Sequence, residues 1–64
     1  MTLLLLNKAN GVVNTILTNC TEYNIVFKTI QGVKKPFYEI LKEGITYTFP
    51  ADTISLYKEV YTLR

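Results

Sequence analysis

The sequence contains no histidine and a single cysteine, Cys20. Histidine is the side chain best matched to proton transfer near neutral pH, so its absence removes the commonest general acid–base group. One thiol cannot close an intrachain disulfide, and it cannot form a tetrahedral zinc site without further ligands. Because no histidine is present to activate it, we expect Cys20 to be a small buried hydrophobe. We also expect no metal and no cofactor.

Other catalytic signatures are equally scarce. The three glycines are isolated from one another, so they cannot build a phosphate-binding loop. The only serine, Ser55, lies in an alternating apolar–polar run and not in a Gly-x-Ser-x-Gly turn. The carboxylates are scattered, and only the fold can bring a pair such as Glu39 and Asp52 together. We therefore predict no catalytic residue, and we predict that the protein is not an enzyme.

The sequence also lacks a long hydrophobic run. Its longest, Leu3 to Leu6, is ended by Asn7 and Lys8. A signal peptide needs an apolar stretch of about 7–15 residues, and a membrane-spanning helix needs about 20. We therefore expect no membrane association. The single unpaired cysteine is typical of a reducing compartment, so we expect a cytoplasmic protein.

Charge is sparse and almost balanced. Seven basic and five acidic residues give a net charge of +2, and the only basic doublet is Lys34-Lys35. Proteins that bind nucleic acid usually carry a stronger basic stripe. Nucleic acid is therefore a possible partner, but it is less favoured than protein.

What the sequence does contain is apolar surface. Hydrophobic residues make up 48% of the 64 residues, and charged residues only 19%. We expect one small domain, 1–64, whose folding buries only about 60% of its surface. The remaining apolar surface predicts a protein partner and a homodimer. Four consecutive leucines point to both faces of a strand, so we assign Leu4 and Leu5 to the dimer interface and expect lysine at either position to disrupt it.

Short segments rich in Val, Ile, Thr, Tyr and Phe alternate with turn signals, which indicates a mainly β fold. We predict a small antiparallel sheet or an open barrel of about five strands, with at most one short helix. Three groups of residues support this by alternation along the chain: Tyr23, Ile25 and Phe27; Ile45, Tyr47 and Phe49; and Ile54, Leu56 and Val60, with Ser55, Tyr57, Glu59 and Tyr61 on the opposite face.

Two segments leave an α+β alternative open, with helices near 10–20 or 36–43. In the first, apolar residues from Val12 to Cys20 have helical spacing, although the β-branched residues there favour a strand. In the second, Pro36 and Gly44 stand where a short helix would begin and end. A hairpin is slightly favoured for that second segment.

The stretch Phe49-Pro50-Ala51-Asp52 interrupts the alternation. Proline has no amide hydrogen, so Pro50 must end a strand or mark an edge. Asp52 is able to accept hydrogen bonds from nearby backbone amides. We interpret the stretch as a corner between two strands and not as a working site.

The candidate interaction residues are mainly tyrosines and lysines. Tyrosine combines a large apolar ring with a hydroxyl that tolerates water, and it is enriched at protein interfaces. Tyr57 and Tyr61 fall on the predicted outer face of the last strand, beside Lys58. The complete set of candidate interface residues is Tyr57, Tyr61, Lys58, Lys34, Lys35, Leu4 and Leu5.

The resulting functional prediction is a non-catalytic protein-binding module, or a small accessory or inhibitor protein. A bias toward Thr, Ile, Leu, Lys, Tyr and Asn is typical of AT-rich coding sequence and suggests a phage or other mobile element. One alternative is a small-barrel nucleic-acid-binding protein that uses the lysines with Tyr57 and Tyr61. The other is a structural subunit of a larger assembly.

Overall fold

The computed structural model describes residues 1–59 and contains six β-strands. These strands are β1 (Thr2–Asn7), β2 (Val13–Leu17), β3 (Cys20–Ile30), β4 (Val33–Lys42), β5 (Ile45–Pro50) and β6 (Ile54–Glu59). They form two antiparallel three-stranded sheets, with strand orders β2-β1-β6 and β3-β4-β5. No helix in residues 1–59 is long and apolar enough to cross a membrane.

The prediction of a mainly β fold is confirmed, and the α+β alternative is wrong. The segment near 10–20 contributes β2, and the segment 36–43 belongs to the long strand β4. β-Branched residues fit the pleated surface of a sheet, and pairing with β1 decides the conformation of the first segment. The described residues contain six strands where about five were predicted, and these form two separate sheets and not a closed barrel.

In the first sheet, β1 is the central strand. Because side chains alternate between the two faces of a strand, the four consecutive leucines divide into two pairs. Leu3 and Leu5 point into the core and are fully buried, while Leu4 and Leu6 point to the other face and are half-buried. The four leucines therefore supply apolar side chains to both faces of this sheet.

The second sheet is built from two tight hairpins. The β3–β4 hairpin turns at Gln31 and Gly32, with φ values of 51° and 77°, and the β4–β5 hairpin turns at Glu43 and Gly44, with φ values of 50° and 80°. Two successive residues with positive φ form the two-residue turn whose twist matches antiparallel strands. Gln31-Gly32 and Glu43-Gly44 therefore form the turns of these two hairpins.

Backbone hydrogen bonds join the two sheets where the chain changes sheet. After β2 the chain turns at Asn19 (φ 59°), and Cys20 then pairs with Met1. The Met1 amino group donates to the Cys20 carbonyl at 2.8 Å, and the Cys20 amide donates to the Met1 carbonyl at 2.9 Å. This pair connects the start of β1 to the start of β3.

The corner predicted at Pro50 is confirmed, because β5 ends at Pro50 and a turn leads into β6. The Ala51 amide donates to the Pro36 carbonyl at 3.0 Å, and the Lys8 amide donates to the Thr53 carbonyl at 2.9 Å. Asp52 is exposed at the corner. Backbone hydrogen bonds of its neighbours hold the corner on both sides.

The core is small and draws on both sheets. Its buried residues are Leu3, Leu5, Leu17, Cys20, Ile40 and Ile54, with Tyr47, Phe49 and Leu56 packed against them. Cys20 is 3% exposed, and its thiol donates to the Leu17 carbonyl at an Sγ–O distance of 3.5 Å. The expectation that Cys20 is a buried hydrophobe is confirmed.

Candidate interaction surfaces

The face of the first sheet that points away from the core carries a patch of apolar side chains. Leu4 on β1 is the direct partner of Ile16 on β2 and of Tyr57 on β6, so these three form a row across the sheet. Ile16 is 54% exposed and Tyr57 is 58% exposed. Leu6 and its partner Val13 lie beside this row. We call the five residues Leu4, Leu6, Val13, Ile16 and Tyr57 the outer apolar face.

Leu4 and Leu5, which the sequence assigned together to an interface, lie on opposite sides of β1. Leu4 is part of the outer apolar face, whereas Leu5 is 0% exposed and belongs to the core. The reason is the two-residue period of a strand, which directs adjacent side chains to opposite faces. Leu5 is therefore not available at the surface of the folded chain, and its placement at an interface is corrected.

Tyr57 and Lys58 are both exposed, but as adjacent strand residues they project from opposite faces of the first sheet. Tyr57 lies beside Leu4 on the outer apolar face, whereas Lys58 is the partner of Leu3 on the face that bears the core. Tyr61 lies outside the described residues. The structure therefore joins Tyr57 to apolar neighbours and separates it from the adjacent lysine.

Lys34 and Lys35 lie near the tip of the β3–β4 hairpin, in the other sheet. The Lys34 ammonium is 5.4 Å from the centre of the Phe27 ring, a cation–π distance. Lys35 is the direct cross-strand partner of Lys28. The aromatic neighbour of Lys34 is thus Phe27 of the same hairpin. The sequence groups Lys34 and Lys35 with Tyr57, which lies in the other sheet.

A second apolar surface follows β3, which is an edge strand of the second sheet. Tyr23, Ile25 and Phe27 alternate along it and share the face that bears Ile40. Ile25 is 57% exposed and Phe27 is 59% exposed. We call Tyr23, Ile25 and Phe27, with the open backbone between them, the β3 edge. Their alternation is visible in the sequence, but their exposure depends on which strand lies at the edge, and the sequence does not reveal that.

Glu39 and Asp52 lie in separate shallow depressions. Glu39 lines one of about 100 Å³ together with Glu22, Asn24, Leu41 and Thr46. Asp52 lines another, of about 320 Å³, formed by Thr53 and the loop from Asn7 to Asn10. The structure does not bring Glu39 and Asp52 into one depression. Across residues 1–59, no three His, Cys, Asp or Glu residues are placed so that they could hold a metal ion.

The described residues thus carry two apolar surfaces, the outer apolar face and the β3 edge. Among the described residues, both surfaces contain large apolar side chains that are exposed, with Leu4 and Leu6 half-buried between those of the outer apolar face. Compared with models of protein families, with curated proteins and with solved structures, the chain matches none of them.

Proposed function

We propose that this protein is a non-catalytic protein-binding module and that its outer apolar face is the surface that receives the partner protein. The observation that carries the proposal is the row Ile16–Leu4–Tyr57. Each of three neighbouring, hydrogen-bonded strands contributes one large side chain to this row. Two of the three are more than half exposed in the isolated chain. A large contiguous apolar patch on a protein surface commonly marks an interaction site.

The composition of this face resembles the centre of a protein interface. The direct cross-strand partners of Leu4 and Leu6 are Ile16, Tyr57, Val13 and Ser55, all of which are uncharged. Interface centres are depleted of charge and enriched in tyrosine. Complete burial of an isoleucine or leucine side chain contributes about 1.5–3 kcal/mol. Burial of Ile16 and Leu4 against a partner would therefore favour binding, and burial of Tyr57 would add to it.

The sheet also suits this role because strand pairing sets the positions of its outward-facing side chains. Leu4 sits on the central strand, and strand pairing on both sides fixes its neighbours. A surface that is ordered before binding loses less conformational entropy when the partner arrives. Such a face suits a protein that acts by occupying part of a larger protein, as accessory and inhibitor proteins do. The AT-rich residue bias supports a phage or mobile-element origin, and the free thiol of Cys20 supports the cytoplasm.

The test is affinity capture from the native host with four baits: the wild-type chain, Ile16→Lys, Tyr57→Lys and Ile45→Lys. Ile45 is as exposed as Tyr57 but lies on β5 in the other sheet, so it is the matched control. We expect a protein that the wild type and Ile45→Lys retain and that both outer-face variants lose. The partner, once purified, should bind those two variants at least about tenfold more weakly, since each buries a charge in an apolar contact.

Circular dichroism and thermal unfolding of each bait show whether it is folded. If folded Ile16→Lys and Tyr57→Lys bind the partner as well as the wild type does, the outer apolar face is not the binding surface. The same conclusion follows if Ile45→Lys loses binding to the same extent.

A second function, nucleic-acid binding, is supported by one observation on the β3–β4 hairpin. Lys28 and Lys35 are direct cross-strand partners, and like charges in that position destabilise a sheet. A phosphate between them would remove the repulsion, while Phe27 and Phe37 offer rings next to Lys34 and Lys28. Binding to single- and double-stranded oligonucleotides at about 50 and 200 mM salt tests this, because phosphate contacts produce a steep salt dependence. An absence of binding at the lower salt rejects it.

A further inference from the structure

We propose that β3 is the site of homodimerisation and that it pairs antiparallel with β3 of a second copy in a register centred on Ile25. The two three-stranded sheets β3-β4-β5 then join into one continuous sheet of six strands. The proposal concerns a surface separate from the outer apolar face and does not depend on the proposed function.

Within residues 1–59, no strand pairs with the outer side of β3 between Tyr23 and Phe27, so this stretch can accept a new strand. The Pro36 carbonyl accepts a hydrogen bond from Ala51, so it points toward β5 and away from β3. Phe27 is the partner of Pro36, and their pair is therefore one of the pairs not bonded across the β3–β4 ladder. The amide and carbonyl of Phe27 consequently point outward, and strand alternation directs those of Ile25 and Tyr23 the same way. The register is unbroken from Glu22 to Ile30.

Charge selects one register. Glu22 and Lys28 are equally distant from Ile25 along β3 and share the face opposite to Ile25. When Ile25 lies against Ile25 of the second copy, each Glu22 lies against Lys28 of the other copy, and two ion pairs form across one symmetric interface. A register centred on Val26 would instead place Glu22 against Ile30, and both ion pairs would be lost. Lys28 already lies 3.8 Å from Glu39, and its three N–H donors allow it to contact both carboxylates.

The apolar side chains match in the same register. Tyr23 of one copy lies beside Phe27 of the other, on both sides of the central Ile25 pair. Aromatic and β-branched cross-strand pairs are among the favourable ones in antiparallel sheets. The two-fold axis is perpendicular to the sheet, so the exposed rings of both copies lie on the same face and form one apolar surface. The pairing adds roughly six backbone hydrogen bonds, two for each outward-facing pair.

The other edges of the two sheets are less suitable. Within residues 1–59, β3 has 11 residues, whereas the other edge strands β2, β5 and β6 have 5, 6 and 6. β5 also ends in Pro50, which has no amide hydrogen to donate, and β2 is distorted by a register shift against β1. Short strands, prolines and bulges are the devices by which proteins prevent edge pairing. β3 has no proline, and its one register shift, between Cys20 and Glu22, lies at its start.

The experiment measures the molar mass of the full chain by light scattering and sedimentation over a range of concentrations. We expect a reversible monomer–dimer equilibrium for the wild type. Glu22→Lys and Lys28→Glu each replace both ion pairs with like-charge pairs, and each should raise the dimer dissociation constant about tenfold or more. An equimolar mixture of the two variants restores opposite charges at both positions, so it should form a heterodimer about as tightly as the wild type forms a homodimer.

The controls are Lys8→Glu and Asp52→Lys, which reverse exposed charges away from β3, and Ile16→Lys, which alters only the outer apolar face. All three should dimerise like the wild type. A wild type that is monomeric at every concentration overturns the proposal, and so does association that grows without limit. A dimer that neither charge reversal weakens, or two weakened variants that fail to combine when mixed, overturns the assignment of the interface to this register.

Discussion

Phe27 lies directly opposite Pro36 in the β3–β4 hairpin, and this pairing explains how a proline fits within the longest hairpin of the described chain. The Pro36 carbonyl is bonded to Ala51 on the side of β5. Its nitrogen faces that same side, so the missing amide hydrogen takes no bond away from β3. Because the β3–β4 register is unbroken from Glu22 to Ile30, the direction of each backbone amide over that range follows from this one pair.

A proline scan of β3 tests those directions. Val26→Pro removes an amide that points into the β3–β4 ladder, whereas Ile25→Pro removes one that points outward. We expect Val26→Pro to lower the free energy of unfolding by about 1–3 kcal/mol more than Ile25→Pro, because it leaves a carbonyl of β4 without its donor. Urea unfolding in dilute solution measures the difference. Equal losses for the two variants would contradict the assigned ladder.

Leu4 and Leu5 supply a second comparison, since the same residue type occurs on two faces of one strand. Leu5→Ala opens a cavity in the core and should reduce the free energy of unfolding by about 2–5 kcal/mol. For a domain of this size, whose total stability is roughly 3–10 kcal/mol, that loss is severe.

Leu4→Ala removes a half-buried side chain from the outer apolar face and should cost clearly less than Leu5→Ala. Chemical unfolding of both variants gives the two values. An equal or larger loss for Leu4→Ala would show that the outer face of β1 is covered within the single chain.

The turn at Gln31-Gly32 predicts a stabilising substitution. Gln31 has φ 51°, a conformation that costs an ordinary residue about 1–2 kcal/mol and that asparagine adopts more readily. Gln31→Asn should therefore raise the free energy of unfolding by about 0.5–1 kcal/mol.

Gly32→Ala is the control for that turn. A Cβ at Gly32 meets no atom within 4 Å, but its φ of 77° is unfavourable for alanine. We expect a loss of stability of about 1–2 kcal/mol from backbone strain alone. Thermal unfolding that shifts in the same direction for both variants would contradict the turn assignment.

The reactivity of the Cys20 thiol reports on whether the junction between the two sheets opens. Because it is 3% exposed and sits where the two sheets join, a thiol reagent should label it only when that junction opens. We expect the labelling rate to rise with urea in step with unfolding followed by circular dichroism. Rapid labelling under native conditions would mean that the junction opens independently of the rest of the fold.

Much of the fold can be read from local patterns. The alternation of Ile45, Tyr47 and Phe49 predicts β5, and the isolated glycines at Gly32 and Gly44 mark the two hairpin turns. The segment around Val13 is ambiguous locally, because its apolar spacing suits a helix while its β-branched residues suit a strand. Its long-range pairing with β1 settles the matter, and local sequence does not encode that pairing.

The candidate surfaces are predictable to a smaller extent. The sequence identifies Leu4 and Tyr57 separately, but their contact across β1 and β6 depends on the strand order of the first sheet. The exposure of Ile25 and Phe27 depends on β3 being an edge strand. Neither fact has a local signature, because strand order is decided by contacts between residues far apart in the chain.

Because the core is small, the rise in melting temperature on binding can be used to find the partner. Few side chains are fully buried among residues 1–59, so we expect a marginally stable fold in which any added free energy has a large relative effect. A ligand present at a hundred times its dissociation constant stabilises the folded state by about 2.7 kcal/mol. In a domain of this size that raises the melting temperature by the order of ten degrees. Fractions of a host extract can thus be ranked by how far each one delays the melting of this chain, before the identity of the binding molecule is known.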